Sequence, residues 1–222
     1  FAVCKQNFHL TAKEKKVEHI LNKSEIAYKQ IKKMIHKEIL TRGQPISENR
    51  LASELNMSRT PIRSALKLLE KEGFVKIVPK LGIYLQELSD EEANQLYDVR
   101  RAIERFVIEQ IINVITVDDI KKLREMIDFQ QKAFEQNDHV AFMSSDQQFH
   151  NYFFEIYNNP KMSELLGQLR DRFFLIGLRA CKYENRMEPS IKEHSSLVSA
   201  LEKRDLKAAL EHITNNIRRQ SS

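Results

Sequence analysis

The sequence has no tryptophan, only two cysteines, and five residues each of glycine and proline among 222. Cys4 and Cys181 lie far apart and lack metal-site spacing, so they read as free thiols of a reducing compartment. No run approaches the ~18 uninterrupted apolar residues of a membrane span. No basic segment leads into an apolar stretch, so no secretory signal is expected. These absences point to a cytoplasmic location with no membrane partner. No internal repeat or low-complexity tract occurs. What is present is ordinary for a globular chain, 41% apolar and 30% charged, and long enough for one large or two modest domains.

Charge is unevenly spread. Residues 24–86 hold twelve Lys and Arg against six Glu, and residues 1–23 hold five Lys against two Glu. With a net charge of +5 overall, the remainder is acidic. A basic first part joined to an acidic second part suggests that only the first meets a polyanion. Gly43, Pro45, Pro61, Gly73, Pro79 and Gly82 crowd into the same region, so it must consist of short elements and tight turns.

Three parts are expected: an N-terminal extension (1–23), a compact basic module (24–88) and an all-helical domain (89–222). Thr11 with Glu14 reads as a capping box opening a short helix over 11–22. A second helix over 25–41 carries Ile26, Ile31, Ile35 and Ile39. From residue 89 the periodicity predicts six helices, at about 89–113, 116–136, 138–157, 161–182, 189–202 and 206–219. Ser89 with Glu92 and Thr116 with Asp119 open the first two, while Asp138 and Asp205 cap the third and sixth.

The stretch "SRTPIRSALKLLEKEGF", Ser58 to Phe74, follows "LASELNM" at once. Ile62, Ala65, Leu66 and Leu69 repeat at helical spacing, and Thr60, Arg63 and Lys67 point the other way. Ser58 or Thr60 can cap this helix, Pro61 fits its first turn, and Gly73 ends it. "FVKIV" and "IYLQE" flank "PKLG" as a small hairpin. Two short helices with a hairpin behind them make a winged helix-turn-helix. Arg59 and Arg63 stand one turn apart and can enter one major groove, where Arg is the usual bidentate partner of guanine. Lys80 and Gly82 at the hairpin tip let the wing approach the backbone. The competing view is a merely solvated helix face, and coincidence of the charges with turn, cap and wing argues against it.

The run from Leu51 to Leu85 resembles the DNA-binding domain of GntR-family bacterial transcription regulators. The resemblance implies that Ser58, Arg59, Thr60 and Arg63 face operator DNA and that Gly82 enters the minor groove, and Asn49 is placed with them. The family often has Pro-Gly before the second helix, whereas this chain has "RGQPIS", so a different turn is expected.

In the second part, Asp146 and His150 are four residues apart, so on a helix they share a face and can hold one ion. His194 falls where a bundle can bring it inward. "LYDVRRAIE", "DQQFH" and "KEHSSLVSALEKRDLKAAL" resemble the FCD effector domain of the FadR branch of the same family. That resemblance implies a divalent metal (Zn, Ni or Mn type) held by one Asp and three His. Asp146, His150 and His194 match, and Asn216 stands where the third His belongs. An Asn oxygen is a weaker, harder donor, so the site holds a metal with more open positions, prefers another metal, or stays empty. His212, one turn earlier, is a possible substitute. Arg100 matches a pocket arginine that pairs with an effector carboxylate, or else it pairs with Glu104. Arg172 and Arg179 are further candidates.

The combined expectation is a mainly α protein, a winged helix-turn-helix followed by an antiparallel six-helix bundle. It implies a homodimeric repressor that binds palindromic double-stranded operator DNA and senses a small organic acid. The rival is a metal-dependent enzyme with a nucleic-acid tether. Glu193 beside His194 is the only adjacent carboxylate for a base, and helical neighbours point apart.

Overall fold

A computed structural model describes residues 12–37, 39–40, 43–79, 81–86 and 88–217, with side chains from residue 23 onward. The Thr11 cap, any basic arm before it, and Lys80 lie outside the described residues. The chain divides into two compact units, Phe1–Glu87 and Leu88–Ser222.

The first unit contains α1 (Ala12–His36), α2 (Glu48–Glu54), α3 (Arg59–Lys71), β1 (Val75–Val78) and β2 (Gly82–Leu85). Residues 12–36 form one helix rather than the two expected. Nothing between residues 22 and 25 breaks it, since Lys, Ser and Glu all tolerate a helical interior. Its buried stripe is Ala27, Ile31 and Ile35, whereas Ile26 and Ile39 are exposed. That stripe packs against α3, which buries Ile62, Ala65, Leu66 and Leu69. Each fully buried Leu or Ile removes apolar surface worth about 1.5–3 kcal/mol.

α3 ends in a Schellman motif. Gly73 adopts φ +78°, its N–H meets the Glu70 carbonyl at 2.9 Å, and the Phe74 N–H meets that of Leu69 at 2.9 Å. Only glycine takes that φ without a Cβ clash, which is why the helix stops there. The antiparallel hairpin pairs Val75 with Leu85 and Ile77 with Ile83. Ile46 bridges to Ile83, and Glu70 accepts the Ile77 N–H at 2.8 Å, so the wing is tied both to α3 and to the segment before α2. Gly82 opens β2 at φ +122°, where a side chain would meet the Pro45 ring 3.2 Å away.

The second unit is all helical: α4 (Asp90–Ile111), α5 (Val117–Glu135), α6 (His139–Tyr157), α7 (Pro160–Gly167), α8 (Arg170–Tyr183), α9 (Met187–Glu202) and α10 (Leu206–Asn216). Both expected capping boxes form, at Ser89/Glu92 and Thr116/Asp119, and Asp138 and Asp205 cap α6 and α10. The expected fourth helix is two, α7 and α8. Gly167, the poorest helix former after proline, ends α7, and the Gln147 amide of α6 donates to the carbonyl of Arg170, the first residue of α8, at 2.6 Å. α6 sits at the centre, packed on α4, α5 and α8, and buries Phe142, Phe149, Phe153 and Phe154. Its apolar residues occupy nearly every side because neighbours surround it.

Candidate functional site

In the first unit, Ser58 is the N-cap of α3 without a side-chain hydrogen bond to the helix, so its hydroxyl is not consumed by capping. Ser58, Arg59, Thr60 and Arg63 are exposed at the start of α3, and Asn49 is exposed on α2. The first-turn N–H groups and the helix dipole make this end attractive to a phosphate. Arg63 is already held from one side. Its Nε and Nη2 donate to the two oxygens of Glu48 at 3.1 and 2.8 Å. Gly82 is half-buried, and its positive φ gives it a structural reason independent of any ligand.

In the second unit, two helices deliver three donors to one point. α6 supplies Asp146 and His150 one turn apart, and α9 supplies His194. Asp146 Oδ1 lies 3.9 Å from His150 Nε2 and 3.6 Å from His194 Nε2, and one donor atom from each residue falls within 4.8 Å of the others. All three residues are buried.

The shell behind these donors fixes their chemistry. Glu104 on α4 faces His150 Nδ1 at 2.5 Å, and Gln130 on α5 faces His194 Nδ1 at 2.8 Å. A carboxylate only accepts, so His150 carries its proton on Nδ1 and directs the Nε2 lone pair to the centre. Gln130 does the same for His194 by offering Oε1. Both Nε2 atoms are buried without a hydrogen-bond partner. Two imidazole lone pairs and a carboxylate oxygen face one another at ligand spacing, so these residues fit a divalent metal.

Buried charge surrounds the cluster. Arg100 Nε donates to Glu104 at 2.6 Å, and its Nη2 lies 3.9 Å from Asp146 Oδ2. Burial alone would raise the Glu104 pKa, but Arg100 and His150 outweigh it and hold the carboxyl down at about 2. Burial, with His150 and Arg100 nearby, keeps the His194 pKa well below the usual imidazole value, so this ring stays neutral. Beside the cluster opens a cleft of about 360 Å3 including its mouth. Arg100, Asp146, His150 and Arg170 line its polar side, and Phe154 and Phe173 its apolar side.

Two family models match the chain: the one described as "Bacterial regulatory proteins, gntR family" over residues 23–85, and the FCD domain over residues 95–219. The chain belongs to the GntR family. It is a GntR regulator of transcription with an FCD effector domain, and not an enzyme, so the rival enzymatic reading falls. The chain is 26% identical over 187 residues to the HTH-type transcriptional regulator YdhC of Bacillus subtilis (strain 168), covering 84% of each chain. It is 27% identical over 184 residues to the gluconate operon transcriptional repressor of Bacillus licheniformis, covering 80% of this chain and 75% of that one. A crystal structure of a GntR transcriptional regulator from Rhodococcus sp. RHA1 shares the fold, with a TM-score of 0.74 at 18% identity, covering 88% of this chain and 94% of that one.

In this GntR regulator the expected donors Asp146, His150 and His194 come together. His212 does not join them; it lines a separate surface groove with Ser199 and Lys203. Arg100 pairs with Glu104, as one of its two expected roles requires, and it also lines the cleft. Arg179 does not face the cleft, because its guanidinium binds Asp90 at 2.6 Å and the Leu88 carbonyl. Glu193 is no base for the centre; it is engaged by Arg186 and Asn216.

Sequence reasoning missed Gln130, Arg170 and the role of Glu104. For two of them a signal existed. Gln130 continues the buried stripe Ile120, Leu123, Ile127, and Glu104 continues the stripe that includes Val107 and Ile111. A polar side chain on an apolar stripe must have a buried partner.

Proposed function

We propose that this GntR regulator is a homodimeric, ligand-responsive repressor. Its paired first units bind a short palindromic operator, with the α3 helices in successive major grooves about 34 Å apart. Its second unit senses a small carboxylate beside a divalent metal held by Asp146, His150, His194 and Asn216. One observation carries the sensing half: the Nε2 atoms of His150 and His194 are buried, unpartnered, and aimed at Asp146.

Charge supports an anionic ligand. Glu104 and Asp146 against Arg100 leave one net negative charge among buried side chains. A divalent ion reverses that sign and, when bound, supplies a Lewis-acid contact for a carboxylate oxygen. Arg100 offers guanidinium N–H groups toward the same carboxylate, because Glu104 takes only its Nε. Glu104 and Gln130 hold the two imidazoles in the required tautomers. Phe149 stacks on the His194 ring at 4.2 Å and excludes water behind it. The relative named for the gluconate operon is a repressor, and gluconate is a carboxylate.

A ligand alters DNA affinity only by binding one arrangement of the protein better than another. The test is calorimetric titration of metal-loaded protein with a panel of small organic acids, followed by operator binding with each acid that binds. The reading predicts that an acid that binds the loaded protein also shifts operator affinity. It fails if the protein takes up no divalent ion, or if no acid that binds affects DNA binding.

A further inference from the structure

The end of α10 is held by a network behind the proposed donor set. Arg186, just before α9, donates Nη1 and Nη2 to the two oxygens of Glu193 at 3.3 and 2.6 Å. The same Nη2 reaches the backbone carbonyl of Asn216, the last residue of α10, at 3.4 Å. Asn216 Nδ2 donates to Glu193 Oε2 at 3.0 Å. Glu193 and Arg186 are largely buried, with side chains 13% and 20% exposed, so this fork is shielded from competing water.

A carboxylate only accepts, so the atom of Asn216 on Glu193 must be its nitrogen. The oxygen end is thereby turned away from Glu193. His194 follows Glu193 in the chain, and adjacent helical residues diverge by about 100°. Asn216 closes the helix that packs on α9, and its nitrogen is fixed on the residue that precedes His194.

We propose that Glu193 and Arg186 are positioning residues that aim the Asn216 oxygen at the Asp146, His150 and His194 donors. The centre is then built from two imidazoles and two oxygens, one fewer imidazole than the three-His set. This inference rests on the metal reading above and adds to it a preference. An amide oxygen is a hard, neutral donor, so the usual advantage of Zn2+ over Mn2+ at nitrogen-rich sites is narrowed. The Glu193 carboxylate also stands ready to orient an imidazole at position 216, because carboxylate–histidine–metal triads use that arrangement.

The experiment uses the full chain, stripped with chelator and titrated separately with Mn2+ and Zn2+ by calorimetry, with chelator competition where binding is tight. Asn216→Ala is expected to weaken Mn2+ binding ~10-fold or more, and Glu193→Gln by a similar factor, as loss of an orienting partner does. Asn216→His is expected to raise the Zn2+ to Mn2+ affinity ratio ~10-fold or more. Circular dichroism checks each fold, and if Glu193→Gln does not fold, the two Asn216 variants decide. Wild-type affinities for both ions in Asn216→Ala, or an unchanged ratio in Asn216→His, overturn the inference while the three-donor centre stands. A folded Glu193→Gln with wild-type Mn2+ affinity removes the positioning role. If wild-type protein binds neither ion, the metal centre itself falls and this inference falls with it.

Discussion

Arg63 on α3 and Glu48 at the start of α2 form a two-pronged ion pair, with Nε and Nη2 each on one carboxylate oxygen at 3.1 and 2.8 Å. The pairing occupies the side edge of the guanidinium. Nη1 and the second Nη2 hydrogen remain, and they form the end edge that bidentate guanine recognition requires. Glu48 also places a negative charge beside the end of α3 proposed to face DNA, and Arg63 keeps that carboxyl ionised by lowering its pKa. Glu48→Gln is therefore expected to raise affinity for random duplex DNA and to lower the ratio of specific to random binding. Fluorescence anisotropy on both duplexes at one fixed salt concentration measures this. Arg63→Ala is expected to weaken specific binding by about 1–3 kcal/mol without loss of helix content.

His150→Ala removes one of two imidazoles from the centre. Elemental analysis of the dialysed protein is expected to show metal in wild type and essentially none in this variant. Glu104→Gln keeps the shape of the carboxylate but no longer dictates the His150 tautomer, and a metal affinity lower by about 10- to 100-fold is expected.

Acid should destabilise the metal-free protein in two stages. His194 has a folded pKa well below 6.5, so the unfolded chain takes up a proton that the folded chain refuses once pH falls below that value. Glu104 has a folded pKa of about 2 against 4.5, so its contribution is present above pH 4.5 and is lost as pH falls toward 2. Thermal melts followed by circular dichroism from about pH 8 to about pH 5 test the upper stage. A falling midpoint is expected in wild type and a flatter one in His194→Gln, and equal slopes would contradict the burial assigned to His194.

Phe149 is fully buried and stacks on the His194 ring with centroids 4.2 Å apart. Phe149→Ala should cost about 3–5 kcal/mol of stability through the cavity it leaves. It should also weaken metal binding, because His194 loses the ring that holds its plane. Urea titration and calorimetry on the same preparation separate the two effects.

Local chemistry made much of this fold legible. Ser89 with Glu92, Thr116 with Asp119, Asp138, Asp205 and Gly73 each satisfy groups within a few residues of themselves, and each marks a helix end. The centre was legible where its donors share a helix, as Asp146 and His150 do. Partnerships across elements were not. Glu48 reaches Arg63 from fifteen residues away, Glu104 reaches His150 from 46, and Gln130 reaches His194 from 64. The break between α7 and α8 was hidden because Gly167 disfavours a helix yet forbids nothing.

The account depends most on the exposed start of α3 reading DNA. Duplexes selected from a random pool by the full-length protein, then titrated by anisotropy across salt, test it directly. A palindromic site is predicted, bound more tightly than a scrambled duplex, with affinity falling steeply as salt rises and lost in the Arg59→Ala/Arg63→Ala double variant. If that variant binds the selected site as tightly as wild type, α3 is not the reader.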